Sequence, residues 1–190
     1  MPTTLSLLNQ VRTQARANRL ANHRLHEAMA ALSDADFHAP RVSFFPSLAQ
    51  TLNHLLAVDR YYLAALRREA DMEAQYRSFQ PAVTLAELAP RQRAFDEELI
   101  AYCDAIDEAQ LGDEIVLDRG GDEKPRERVA HVLAHLFMHQ THHRGQVHAM
   151  LAGTGVEPPQ LDEFLMTSDA PLRSRDIAAL GWSESQLFGS

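Results

Sequence analysis

The first glycine in this chain of 190 residues is Gly112, and all eight glycines fall from there onward. A glycine-free opening of that length favours long helices joined by short, proline-marked turns. The prolines punctuate the chain accordingly: Pro40 and Pro46, Pro81 and Pro90, Pro125, the Pro158–Pro159 pair and Pro171. With 45% hydrophobic residues, 23% charged residues and no internal repeat, one soluble domain of ordinary composition is expected.

The first helix is predicted from about Thr4 to Leu32. Its seam reads Leu8, Val11, Ala15, Asn18, Asn22, Leu25, Met29 and Leu32 in alternating steps of three and four, the stripe of a bundle helix. Asn18 and Asn22 interrupt that stripe. They are either buried amides that fix register or the lining of a polar site. A second helix is predicted from Ser47, a capping residue after Pro46, to about Tyr76. A third should run from Leu85 to Ala109 with Thr84 as its cap and Pro90 near its start. Cys103 shares the buried face of that helix and reads as an inert core thiol. Glu114 to Lys124 has the makings of a small hairpin around Gly120–Gly121. A last long helix should open at Pro125 and stop near Gly153 and Gly155. The expected fold is therefore all-α, a four-helix bundle over residues 1–167. Residues 168–190 would be a short extension whose Trp182 and Phe188, like Leu161, Phe164 and Leu165 before them, need a surface to dock on.

Eighteen Lys and Arg against 26 Asp and Glu leave a net charge of −8. That balance, without a basic run, argues against nucleic acid or an anionic membrane as the partner. One cysteine rules out an intrachain disulfide and agrees with a reducing setting. The N-terminus lacks the pattern of a signal peptide and no apolar run is long enough to span a bilayer, so a cytoplasmic protein is expected.

Six of the ten histidines lie between His131 and His148 on the last helix. At about 100° per residue, His143 falls inside that helix's apolar stripe and His139 on its edge. His131, His135 and His142 turn toward solvent, and His148 lies on the opposite flank. Residues four apart stack on one helix face, close enough for two imidazoles to share a divalent ion. Buried histidines satisfied by backbone or carboxylate groups would show the same spacing. His54, on the second helix, is the best internal source of a third ligand. His23, His26 and His38 read as surface residues.

MHQTHHRGQVHAML, from Met138 to Leu151, resembles the signature of the DinB/YfiT-like family of metal-binding bundles. TLNHLLAVDRYYL at Thr51 to Leu63, ANRLANHRL and ALSDADFHAP between Ala17 and Pro40, and FFPSL from Phe44 to Leu48 resemble other motifs of that family in the same order. The resemblance implies a four-helix bundle holding one divalent ion with three histidines, and places those ligands at His54, His139 and His143. It further implies a homodimer. Relatives include enzymes that use a low-molecular-weight thiol, and nothing in the DinB name implies a polymerase.

Three neutral imidazoles without a carboxylate suit Zn²⁺, Ni²⁺ or Fe²⁺ rather than Ca²⁺ or Mg²⁺. Only three protein ligands leave a position for water or substrate, as in catalytic zinc sites. The function expected is activation of a thiol or a water, in a thiol-S-transferase or hydrolase acting on a small electrophile. The alternative is a non-catalytic metal-binding protein of the stress response. Around the ligands, Asp59 is expected either to accept an N–H from a ligand histidine or to pair with Arg60, Arg144 or a helix-1 asparagine. Gln146 is expected near His139, where it would meet a metal-bound water, and Asn18 and Asn22 are candidates for the same surroundings. Gly145, inside a helix, is explained by close helix or substrate approach or is a tolerated defect.

Overall fold

A computed structural model describes residues 6–162 and 165–188. The chain runs α1 (Leu7–Met29), α2 (Asp34–His38), α3 (Leu48–Leu66), α4 (Met72–Arg77), α5 (Leu85–Ala105), β1 (Glu114–Val116), β2 (Arg126–Arg128), α6 (Val129–Leu151), α7 (Ala170–Leu180) and α8 (Glu184–Leu187). Four long helices, α1, α3, α5 and α6, form the expected all-α bundle. No described helix is long and apolar enough to cross a membrane. Thr4 and Phe164, which the sequence assigned to the first helix and to the docking segment, lie outside the described residues.

Side-chain caps start two helices where the sequence placed them: Ser47 accepts from the Gln50 amide at 3.1 Å and Thr84 from Glu87 at 3.2 Å. The first helix is capped by Ser6, which accepts from the Asn9 amide at 3.1 Å, where the sequence placed no cap. α1 stops at Met29 rather than Leu32, and three later boundaries also differ from expectation. α3 ends at Leu66 rather than Tyr76, because Arg68 adopts φ 59° and the Glu69 amide turns back onto the Ala64 carbonyl at 2.9 Å. That left-handed residue is an arginine, so neither glycine nor proline marks the stop. α5 ends at Ala105, since Ile106 is already extended. The hairpin forms, but its second strand is Arg126–Arg128, paired antiparallel with Glu114–Val116. Hydrogen bonding to β1 thus delays the start of α6 from Pro125 to Val129.

Two apolar clusters make the core. One gathers Val11 and Ala15 of α1, the C-terminal halves of α3 and α5, the hairpin and the first half of α6. The other gathers Leu25, Met29, Phe37, the start of α3 and the end of α6. Where they meet, a polar layer crosses the bundle. Asn18 and Asn22 donate to Asp96 Oδ1 at 3.2 and 3.0 Å, and Gln92 donates to Asp59 Oδ2 at 3.0 Å. Gln140 also donates to Asp59, and Arg144 donates to Asn18, to Asn22 at 3.2 Å and to Gln140 at 2.9 Å. Burial raises the Asp96 carboxyl to about 7, against the pull of Arg19, Asn22 and Gln92, and raises Asp59 well above its usual range. The two seam asparagines are therefore register-fixing amides inside this layer.

The C-terminal segment docks on its own bundle. Arg24 of α1 donates to Asp176 at 2.7 Å and to the Leu172 carbonyl at 2.7 Å. Arg173, fully buried, grips Glu184 at 2.6 Å, and Gly181 at φ 70° supplies the left-handed turn between α7 and α8. Trp182 packs against the first apolar cluster, and the Arg173 guanidinium lies over the Phe188 ring.

Candidate metal centre

His54 stands two turns into α3, half-buried on a helix whose Leu52, Leu55 and Leu56 are buried. His139 and His143 stand one turn apart on α6, which runs antiparallel to α3. The spacing on α6 and the packing of the two helices bring the three rings together. One ligand atom from each lies within 4.8 Å of the others. His54 Nε2 and His139 Nε2 are 3.1 Å apart. Two nitrogens bound to one tetrahedral ion at about 2.0–2.1 Å would be separated by about 3.3 Å, so this pair already has the right spacing.

The rings are poised neutral. Burial, helped by His143, lowers His54 to about 4, and burial with His143 and His54 lowers His139 to about 3. Burial also lowers His143, against the hydrogen bond that its ring donates to Gln146. Neutral imidazoles are the form a metal needs. Gln146 Oε1 lies 2.7 Å from His143 Nδ1. The amide oxygen can only accept, so Nδ1 carries the proton and Nε2 keeps its lone pair for the centre. The amide nitrogen in turn donates to His142 Nε2 at 3.1 Å. No carboxylate joins the three histidines among the described residues. His139 Nδ1 is buried without a hydrogen-bond partner, which leaves that ring's orientation set by packing alone. The donor set and its spacing fit one divalent transition-metal ion.

Phe45 closes one side, with its ring 4.3 Å from His54 and 5.7 Å from His143. On the other, His135 stacks on His139 at 6.1 Å and meets Tyr62 at 5.2 Å. His131 and His142 are exposed, and His148 bonds the Pro159 carbonyl at 3.1 Å.

Several expectations change here. Asp59 reaches no ligand histidine; Gln92 and Gln140 hold it in the polar layer, and its Oδ1 is buried without a partner. Asn18 and Asn22 face Asp96 and Arg144 instead of the centre. Gln146 bonds the His143 and His142 rings, two contacts that the sequence did not indicate. At Gly145 an added Cβ would meet nothing within 4 Å, so close helix approach is not its reason. His26, read as a surface residue, has its Nε2 buried without a partner, and burial lowers it to about 4. Sequence reasoning missed Phe45 as a wall of the centre, although FFPSL placed it just ahead of α3.

A Gln146→Ala variant should keep the fold and lose roughly 10–100-fold in metal affinity, the usual effect of removing a group that orients a ligand. Competition titration against a chromophoric chelator would measure it. Unchanged affinity would mean that packing alone orients His143.

The model of the DinB family matches residues 1–174. Among solved structures, the chain is similar to a DinB-like protein from Bacillus cereus, with a TM-score of 0.57 and 15% identity over 74% of this chain and 89% of that one. At that identity the likeness concerns the fold. Among curated proteins, none matches the sequence.

Proposed function

This chain belongs to the DinB family, and we propose that it is a mononuclear metal protein in which His54, His139 and His143 hold one Zn²⁺, Ni²⁺ or Fe²⁺ ion and offer it to a thiol or a water. The observation that carries the reading is the convergence of three neutral imidazoles, from two helices, without a carboxylate. Once bound there, such an ion supplies Lewis-acid chemistry, bringing the pKa of a coordinated water toward about 7 or ionising a coordinated thiol.

The chain's own groups do the rest. Gln146 holds the His143 ring in the tautomer that donates outward. Phe45 keeps bulk water from the His54 side and lowers the local dielectric, which strengthens every interaction of charge within the site. Acid weakens the arrangement, because protonated rings cannot donate a lone pair and the three charges would repel one another. The enzyme type is a thiol-S-transferase or a hydrolase acting on a small electrophile.

Cobalt-substituted protein tests this. Adding a small thiol should produce a sulfur-to-metal charge-transfer band in the near ultraviolet, and His143→Ala should abolish it. A cobalt spectrum indifferent to every physiological thiol would instead favour a metal-binding role without catalysis.

A further inference from the structure

A second cavity, of about 340 Å³, lies between α3, α4 and the turn that follows β1. Val58, one turn beyond His54, forms its near wall. Tyr61, Tyr62 and Tyr76 form an aromatic corner, with ring centroids 5.3 Å apart for the first pair and 5.8 Å apart for Tyr61 and Tyr76. The Tyr61 hydroxyl is tied to the Asp118 carbonyl at 3.0 Å. Tyr62 is largely buried in the same corner; no described residue bonds its hydroxyl, and the oxygen is not shut off from solvent. Its ring meets His135, which stacks on His139, so an unbroken line of rings joins the cavity to the three histidines.

The charges at the mouth do not cancel. Arg77 is paired with Glu73, and Asp118 with Lys124 at 2.8 Å. Arg119, beside the Tyr61 hydroxyl, forms no ion pair among the described residues. Its place is set by the turn: Gly120 has φ 76°, and a Cβ there would meet the Arg77 guanidinium at 2.6 Å. The turn therefore sits down on α4 and holds Arg119 over the aromatic corner. An apolar, ring-lined cavity with one uncompensated cation and one free phenol is complementary to a planar organic anion.

We propose that this cavity binds the organic substrate, a small molecule with a flat aromatic or conjugated body and one carboxylate, and directs its far end toward the histidine centre. The carboxylate pairs with Arg119 and accepts from Tyr62 or its neighbours, while the body packs between Val58 and Tyr76. This rests on the metal-centre reading for the direction in which the substrate points, but binding in the cavity does not depend on it.

Binding of 2-naphthoate and of neutral 2-naphthamide, followed by calorimetry on the full metal-loaded chain, tests the proposal. The naphthoate should bind with one site per chain. Val58→Trp, which fills the cavity, should weaken it about tenfold or more. Tyr76→Ala, a change on an exposed wall that leaves the core intact, should weaken both ligands. Arg119→Gln should weaken the naphthoate roughly two- to fivefold, as a partly exposed ion pair would, and leave the amide unchanged. No naphthoate binding, or binding indifferent to Val58→Trp and Tyr76→Ala, overturns the proposal. Binding that survives both but is lost in His143→Ala also overturns it, since the carboxylate would then be a metal ligand. The expected variant pattern in a chain that takes up no metal would support the cavity while defeating the metal-centre reading.

Discussion

Replacing His143 with alanine should abolish stoichiometric binding of a divalent ion, and His54→Ala and His139→Ala should do the same. His131→Ala and His142→Ala should leave it in place. The three ligands meet within 4.8 Å, and no fourth protein donor joins them among the described residues. Losing one leaves two imidazoles, too few to retain a transition metal against water. The expected loss is roughly 100-fold or more, beyond the roughly 10–100-fold typical of residues that only orient a ligand. His131 is exposed, with Glu127 at 3.9 Å, and His142 meets the site through Gln146 and edge-on against the His143 ring at 4.8 Å, with no ring nitrogen among the three that converge. Equilibrium dialysis with metal analysis reads all five variants. Binding that survives in His143→Ala and fails in His142→Ala would mean that the wrong face of α6 carries the ligands.

The largest effect on stability is expected at Arg144. Its guanidinium is buried beside two buried carboxylates and donates to Asn18, Asn22 and Gln140. Arg144→Met should cost about 3–5 kcal/mol at pH 7.5, the usual consequence of stranding a buried charge. The loss also removes the donor shared by the amide oxygens of Asn18, Asn22 and Gln140, and a polar group left buried and unsatisfied is itself costly. Asp59→Asn should change stability by only about 1 kcal/mol, since burial already favours the neutral carboxyl and an amide oxygen can accept the same bonds. Urea unfolding of the metal-free protein separates the two variants. The sign of the pH effect follows from Asp96. Its folded pKa of about 7 lies above its unfolded value, so its contribution falls as pH rises from about 4 to 7 and is flat beyond. Asp96→Asn should remove that slope. Arg144→Met as stable as the parent would mean that the polar layer is hydrated rather than held by the arginine.

What could be read from the sequence followed the range of the interaction. The i, i+4 pair His139 and His143 was legible because helix geometry is local and one apolar stripe locates the inner face. His54 was only the best candidate for a third ligand until the family motif matched it, since nothing in a single helix says which neighbour it will face. Asp59 shows the same limit from the other side. It is bonded by Gln92 of α5 and Gln140 of α6, contacts 33 and 81 residues away in the chain that no helical wheel contains. Caps were legible at Ser47 and Thr84 because the capping bond spans three residues. The end of α3 was not, because Arg68 takes up a left-handed conformation that glycine usually announces. β2 escaped notice for another reason. Arg126, Glu127 and Arg128 are all exposed, so the strand shows no alternation of apolar and polar residues.

The central claim is that the three-histidine site holds a metal, and elemental analysis of untagged protein tests it most directly. Purification must avoid metal-affinity resin, because such a resin can load a vacant site. Close to one equivalent of zinc, nickel or iron per chain is expected, lost in His139→Ala. Protein that carries no transition metal, and takes none up when dialysed against each of these ions, would contradict it.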